Sequence, residues 1–221
     1  MPIEVDLHIH TKYSMDSLLE PKTIIKLALK RGLSAIAITD HNTLKGSLVT
    51  MHEASSVKDL MVIPGVEVKT DMGDVIGLYI QDKITAREFH EVVEEIRRQD
   101  GLVVLPHPYN RHKGVVEELI TYVDVVEVLN ARNSRVKNDK ALRVANYLDK
   151  PAIACSDAHF TFEIGRFRTR FYAELCNSEE LRKFILNGDR AFIGKEMPFV
   201  VHGFSFMVEA TKRLSTNLRN F

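Results

Sequence analysis

Tryptophan is absent from this chain, cysteine occurs twice, and thirty basic residues are cancelled by thirty acidic ones. Each shortage excludes something. Tight sequence-independent duplex binding draws its affinity from neutralised phosphates, and a chain with no net charge lacks the global cationic surface for it. Channels for single-stranded nucleic acid combine charge with aromatic stacking, and no interleaved aromatic and basic stripe is present. A local basic rim that holds a small anion is compatible with the balance. Cys155 and Cys176 offer at most one disulfide, and Cys155 falls in an apolar run. Two reduced thiols in a cytoplasmic protein are therefore expected. No apolar run approaches ~18 residues, the length of a membrane-spanning helix, so no membrane partner is expected. Met1-Pro2-Ile3-Glu4-Val5-Asp6 lacks a basic segment followed by an apolar stretch, so no signal peptide is expected. Repeats, low-complexity stretches and linkers are missing too. With 221 residues, 45% of them hydrophobic, the chain can bury a large core, and one domain over 1–221 is expected.

What the chain does contain is an alternation of strand and helix patterns. Apolar runs at 3–9, 34–39, 61–68, 102–106, 123–129 and 152–155 read as buried strands. Between them, Pro21 opens a helix that Gly32 stops, and helical patterns follow at 43–58, 85–99, 115–121 and 136–148. In the 85–99 segment Phe89, Val92, Val93 and Ile96 share one face, with Glu91, Glu94, Glu95 and Arg98 opposite. Gly73-Asp74 marks a turn into Val75-Ile76-Gly77-Leu78-Tyr79-Ile80, a hairpin partner for the preceding strand. A strand from Phe167 to Leu175, a helix starting at Ser178, a strand at Ala191-Phe192-Ile193 and a helix over about 204–219 complete the series. Uninterrupted βα units favour an α/β barrel or wound sheet.

Seven metal-ligating residues then stand out by position: His8, His10, His41, Glu67, His107, Asp157 and His159. Most close an apolar run, which is how a parallel barrel gathers one site from distant segments, whereas a doubly wound sheet concentrates its site at one switch point. His8-Ile9-His10 and Asp157-Ala158-His159 have i, i+2 spacing, which points two side chains the same way in a strand. Strong curvature at a strand end can instead send Asp157 and His159 to different ions. Glu67 ends an otherwise apolar strand, where an unpaired carboxylate is costly and a carboxylate bridging two cations is not. Pro106 and Pro108 hold His107 in a rigid conformation. Asp40 precedes His41 and can orient a neighbouring imidazole.

Asp6-Leu7-His8-Ile9-His10-Thr11 with Ser14 and Asp16, then Thr39-Asp40-His41-Asn42, Gly65-Val66-Glu67, His107-Pro108 and Ser156-Asp157-Ala158-His159, resemble in this order the motifs of the PHP (polymerase and histidinol phosphatase) superfamily. The resemblance runs from residue 6 to about 165, with 166–221 expected to complete the barrel. It implies a distorted (β/α)7 TIM-like barrel, in a single domain, with two or three divalent metal ions at the C-terminal mouth. Carried over residue by residue, His8, His10, Glu67 and Asp157 hold the first ion. Glu67 bridges to a second that His107 also binds, and Asp16, His41 and His159 hold a third. There are two departures. Asp16 stands where many members carry histidine, and the extra histidine that often serves the second ion is replaced, at the best-aligned position, by Asp74, as a ligand or with a site open to water.

Nitrogen and oxygen donors without thiolate suit Zn, Mn or Fe and do not discriminate among them. The expected activity is metal-dependent hydrolysis of a phosphomonoester or phosphodiester of a small metabolite or nucleotide through a metal-bridging hydroxide. Asp40 or His159 is expected to protonate the leaving group, with Asp40 or a metal-bound water favoured because His159 is itself a ligand. Arg111, Arg166 and Arg132 fall in top-face loops and are expected to contact the phosphoryl group. His52, His90, His112 and His202 lack metal spacing and read as ordinary histidines. An exonuclease or editing hydrolase on single-stranded nucleic acid is the alternative, and a catalytically silent barrel acting as a binding module is the further one.

Overall fold

The computed structural model describes residues 2–113, 115–172, 174, 177–198 and 200–219. Strand β1 (Ile3–Ile9) is followed by α1 (Pro21–Lys30), β2 (Ala35–Ile38), α2 (Lys45–Ala54), β3 (Met61–Lys69) and β4 (Asp74–Leu78). Next come α3 (Phe89–Arg98), β5 (Leu102–Leu105), α4 (Val116–Tyr122), β6 (Val125–Asn130), α5 (Arg135–Tyr147) and β7 (Ala152–Cys155). The chain ends with β8 (Phe167–Phe171), α6 (Ser178–Asn187), β9 (Arg190–Gly194) and α7 (Val201–Arg219). Local chemistry explains several boundaries. Pro21 opens α1, where a missing N–H costs nothing, and Ile24, Ile25 and Ala28 bury its inner face. α3 buries Phe89, Val92, Val93 and Ile96, the face expected from their spacing. α6 is capped by Asn177, whose side chain accepts from Glu180 N, so the cap precedes the expected Ser178 by one residue. The strand expected from Phe167 to Leu175 ends at Phe171, and Ala173, Leu175 and Cys176 lie outside the described residues.

The sheet order is β7-β6-β5-β4-β3-β2-β1-β8-β9. β1, β2 and β3 pair in parallel, as do β5, β6 and β7, while β4 runs antiparallel to both β3 and β5. This is a distorted TIM-like α/β barrel, with β4 as the reversed strand. Closure uses two devices. At the base β8 pairs antiparallel with β1, and Thr169 Oγ1 accepts from Ala154 N at 2.8 Å, seating β8 against β7. At the mouth Ile9 bridges Ala158 directly, with His10 N donating to Ala158 O at 2.9 Å. The interior is filled by Val5, Leu7, Ala37, Ile63, Leu78, Val104, Val125, Ile153 and Cys155, with Phe171, Leu181 and Ile185 in the same cluster. Cys155 is buried as a free thiol.

One irregularity positions the site. Val5 and Leu7 belong to the interior cluster, but Ile9 packs outward with Ile24 and Ala28 of α1. The register of β1 against β2 shifts between Asp6 and Ile9. A bulge of this kind changes which parity faces inward. His8 and His10 thereby join the inward side that Leu7 occupied one residue earlier, at the mouth instead of the core.

Candidate metal centre

Eight side chains meet where the strands end. His8 comes from β1 and His10 from just past it, Asp16 from the following loop, His41 from just past β2, Glu67 from β3, His107 from past β5, and Asp157 and His159 from past β7. Two of these residues sit in left-handed backbone, His107 at φ 32° and Asp157 at φ 52°. A side chain with Cβ adopts that region at a cost, and strain of this sort gathers at functional sites.

The donor atoms fall into three overlapping groups whose members lie within 4.8 Å of one another: His10, Asp16, His41 and His159; His8, Glu67 and His107; and His8, His10 and Asp157. Glu67 Oε1 lies 3.0 Å from His107 Nε2, while its Oε2 lies 3.1 Å from His41 Nδ1 and 3.3 Å from His10 Nε2. Asp157 Oδ1 lies 3.3 Å from His10 Nε2, and Asp16 Oδ2 lies 2.9 Å from His159 Nε2. Asp157 and His159 thus join different groups despite their i, i+2 spacing.

The outward ring nitrogens decide what these groups can hold. Nδ1 of His8 faces Glu127 Oε1 at 3.2 Å, that of His10 faces Ser14 Oγ at 3.2 Å, and that of His159 faces Asp157 O at 2.8 Å. His107 Nδ1 faces Asn110 O at 3.3 Å. Such partners hold the rings in place and aim Nε2 inward. Nε2 of His8 and Nε2 of His10 then face each other at 3.0 Å, and the buried Asp16 Oδ1 has no hydrogen-bond partner. Imidazole nitrogens and carboxylate oxygens converging from separate strands, with a buried carboxylate oxygen left unpartnered, are the donor set of a divalent cation, so the residues fit a metal.

The family comparison supports this chemistry independently: the PHP domain family matches residues 6–164. The chain belongs to the PHP family. PHP superfamily members are metal-dependent phosphoesterases, so it is an enzyme of the phosphoric ester hydrolase class. The uncharacterized Methanocaldococcus jannaschii protein MJ1587 is 36% identical over 165 residues, which cover 68% of this chain and 96% of that protein. The Salmonella typhimurium 5'-3' exoribonuclease Rnm is 42% identical over 105 residues, covering 45% of this chain and 36% of the exoribonuclease. Among solved structures, a two-domain Bacteroides vulgatus protein containing a predicted PHP-like metal-dependent phosphoesterase matches with a TM-score of 0.77 at 18% identity. That match covers 88% of this chain and 65% of the Bacteroides chain, so it speaks to the fold alone.

In this PHP chain electrostatics follow from the pairing. Burial works against charge on every group, but the carboxylates and imidazoles offset one another. Against burial, His41 and His8 hold Glu67 well below the usual carboxylate range, and His8 and His10 do the same for Asp157. His8 is pushed well up by Asp157, Glu127 and Glu67 despite its burial, and His41 rises to about 9 beside Glu67 and Asp16. His10 goes the other way, down to about 3, through burial and the neighbouring His159.

Other expected residues are placed differently. Asp74 is buried, with a pKa raised by burial and by Glu67, but it joins none of the three donor groups. Asp40 does not line the cavity between the donors and α7. Its carboxylate accepts from Thr11 N at 2.6 Å and from Thr11 Oγ1 at 2.5 Å, fully buried, so it organises the Thr11 loop. Arg111 lines the cavity, and although burial opposes it, Asp157, Asp74 and Glu67 hold its guanidinium firmly charged. Arg132 lines it too, buried, with Nη2 donating to Ser205 Oγ at 2.7 Å. Arg166 does not line the cavity, and its Nε donates to Lys195 O at 3.2 Å.

Sequence reasoning missed Glu127, which also accepts from His107 N at 2.8 Å and Asn130 Nδ2 at 3.1 Å. Its signal was available: a charged residue inside the apolar run Val125-Val126-Glu127-Val128, the same anomaly that marked Glu67. Asn130 Nδ2 donates in turn to Asp157 Oδ2 at 3.2 Å. The second omission is α7, which brings His202, Ser205, Phe206 and Glu209 to the cavity wall. His202, read as an ordinary histidine, therefore belongs to the site, with Nε2 donating to Arg132 O at 2.7 Å.

Proposed function

We propose that this chain hydrolyses a phosphomonoester or phosphodiester of a small metabolite or nucleotide with two or three divalent cations at the barrel mouth. The observation that carries the reading is the convergence of the three donor groups on one cavity that Arg111 also lines. We assign His8, His10, Glu67 and Asp157 to one cation, Glu67 and His107 to a second, and Asp16, His41 and His159 to a third. When bound, such cations lower the pKa of coordinated water and offset charge on phosphoryl oxygens. The protein's own contribution is orientation. Arg111 presents a planar fork of N–H donors suited to two non-bridging oxygens. Arg132 is held in place by Ser205 and His202 and adds a fixed positive charge beside it. The outward partners of the imidazoles keep Nε2 aimed inward without reorganisation. With Asp40 buried under Thr11 and His159 in a donor group, no protein acid is assigned to the leaving group.

A nuclease reading has one specific support, the 42% identity of a 105-residue segment to the exoribonuclease. It uses the same centre on the terminal phosphodiester of a strand. Elemental analysis of tag-free protein, paired with phosphate release from phosphorylated metabolites, mononucleotides and short RNA after Mn²⁺ or Zn²⁺ loading, separates the two. Two to three equivalents of metal with turnover on small phosphoesters is the expected result. Turnover confined to RNA ends makes the nuclease the answer, and no bound metal under any loading condition overturns both. His10→Ala and Asp157→Ala should lose metal and turnover together while keeping the wild-type circular dichroism spectrum. Full turnover in either variant contradicts the assignment.

A further inference from the structure

α7 lies beyond residues 6–164, the span matched by the family, yet it forms one wall of the metal cavity. His202, Ser205, Phe206 and Glu209 are spaced i, i+3, i+4 and i+7, so a single face of the helix is turned to the site. Every side chain lining this cavity of about 250 Å³ is polar or charged, except Phe206. Phe206 is 71% exposed. The neighbouring aromatic residues have partners: Phe204 meets Phe160 edge-on at 6.2 Å, and Phe160 stacks on Phe162 at 5.7 Å with 3° between the planes. Phe206 meets no other ring among the described residues. An aromatic ring left largely to water at the wall of a polar cavity, on the helix face that also carries His202, Ser205 and Glu209, has the chemistry of a stacking wall.

We infer that Phe206 forms a leaving-group subsite that stacks the planar aromatic ring of the substrate, a nucleobase or an aryl group, while the donor groups and Arg111 face the phosphoryl end. Base–aromatic stacking tolerates any base, because every base has a π-face, so selection acts on the ring and not on its identity. Glu209, one turn further on the same face and paired with Arg213, adds a carboxylate acceptor beside the ring. The inference rests on the phosphoesterase reading and names its substrate class.

The test compares adenosine 5'-monophosphate, p-nitrophenyl phosphate and glycerol 3-phosphate on metal-loaded wild type, Phe206→Ala and Phe206→Tyr. Phe206→Ala should lower kcat/KM about tenfold or more on a ringed substrate, chiefly through KM, and leave glycerol 3-phosphate within about twofold. Phe206→Tyr should restore the ringed substrate. A loss on the nucleotide alone identifies a nucleobase as the ring, and a loss on both ringed substrates identifies any planar ring. Equal loss on all three, or no loss on any, overturns the subsite. A parallel titration with adenosine, which has no phosphate, followed by NMR line broadening keeps the two readings separable. Adenosine binding that depends on Phe206 in a protein without turnover would uphold the subsite and reject the phosphoesterase; no such binding, in the absence of turnover, would reject the subsite as well.

Discussion

A charge buried in a strand must be satisfied atom by atom, and Glu127 meets that demand with both oxygens. Oε1 holds His8 Nδ1 at 3.2 Å, and Oε2 accepts from His107 N and Asn130 Nδ2. An amide cannot replace it. In Glu127→Gln one end of the side chain becomes a donor, which must face either the His8 N–H or the two donors on the other side. Outer partners of ligating histidines typically carry ~10–100-fold in metal affinity, so Glu127→Gln should weaken metal binding by about that factor. Titration against a competing chelator measures it, and unchanged affinity would remove Glu127 from the centre. Asp40 makes a similar case through packing. A Cβ on Gly46 would sit 1.7 Å from Asp40 Oδ2 and 2.4 Å from Thr11 Oγ1. Gly46→Ala should therefore displace the Thr11 loop and cost about 1–3 kcal/mol, an overpacking penalty read from the urea midpoint. The candidate ligands stood out at this scale because most of them close an apolar run. Asp40 was expected to face the leaving group, whereas its carboxylate accepts from Thr11, a partner 29 positions away that local spacing does not record.

Among the elements, β1 to β7 were legible almost to the residue, since short buried strands bounded by turn residues leave a strong pattern. α7 was not. Its pattern predicts a helix packed outside with a frayed tail, and nothing in its spacing says that it crosses the mouth. What holds it there is long-range. Lys212 Nζ donates to the carbonyls of Lys12 at 2.8 Å, Ser14 at 2.6 Å and Ser17 at 2.5 Å, the loop that carries Asp16. At its other end Arg132 reaches Ser205 Oγ. Lys212→Met keeps the length of the side chain and removes all three bonds. Faster amide exchange should appear in 201–215 and in 12–17, with a raised KM, while exchange in β1 to β7 stays at wild-type rates. Unchanged exchange in α7 would show that the Arg132 end alone secures the helix.

For the molecule as a whole, the metal centre is also a cross-link. Its donors arrive from β1, the loop after it, and the ends of β2, β3, β5 and β7, so a cation held by His8, His10 and Asp157, or by Asp16, His41 and His159, ties together segments more than a hundred residues apart in sequence. Barrel closure was legible in the sequence only as an ordered set of strand-end ligands. The way it is achieved, with β8 filling the base and Ile9 meeting Ala158 at the mouth, depends on pairings that no local pattern records. A cation that binds the folded chain alone stabilises it by about 4 kcal/mol at a thousandfold excess over its dissociation constant. In a chain of this size that corresponds to a Tm difference of roughly 10 °C. Treatment with EDTA should lower the Tm by about this amount, with recovery on adding Mn²⁺ or Zn²⁺. His10→Ala should start from the lower Tm and respond little to either reagent. If wild type and His10→Ala melt together with and without chelator, the converging donors do not bind a cation in solution, and the imidazole and carboxylate pairs at the mouth must be held by their own attraction.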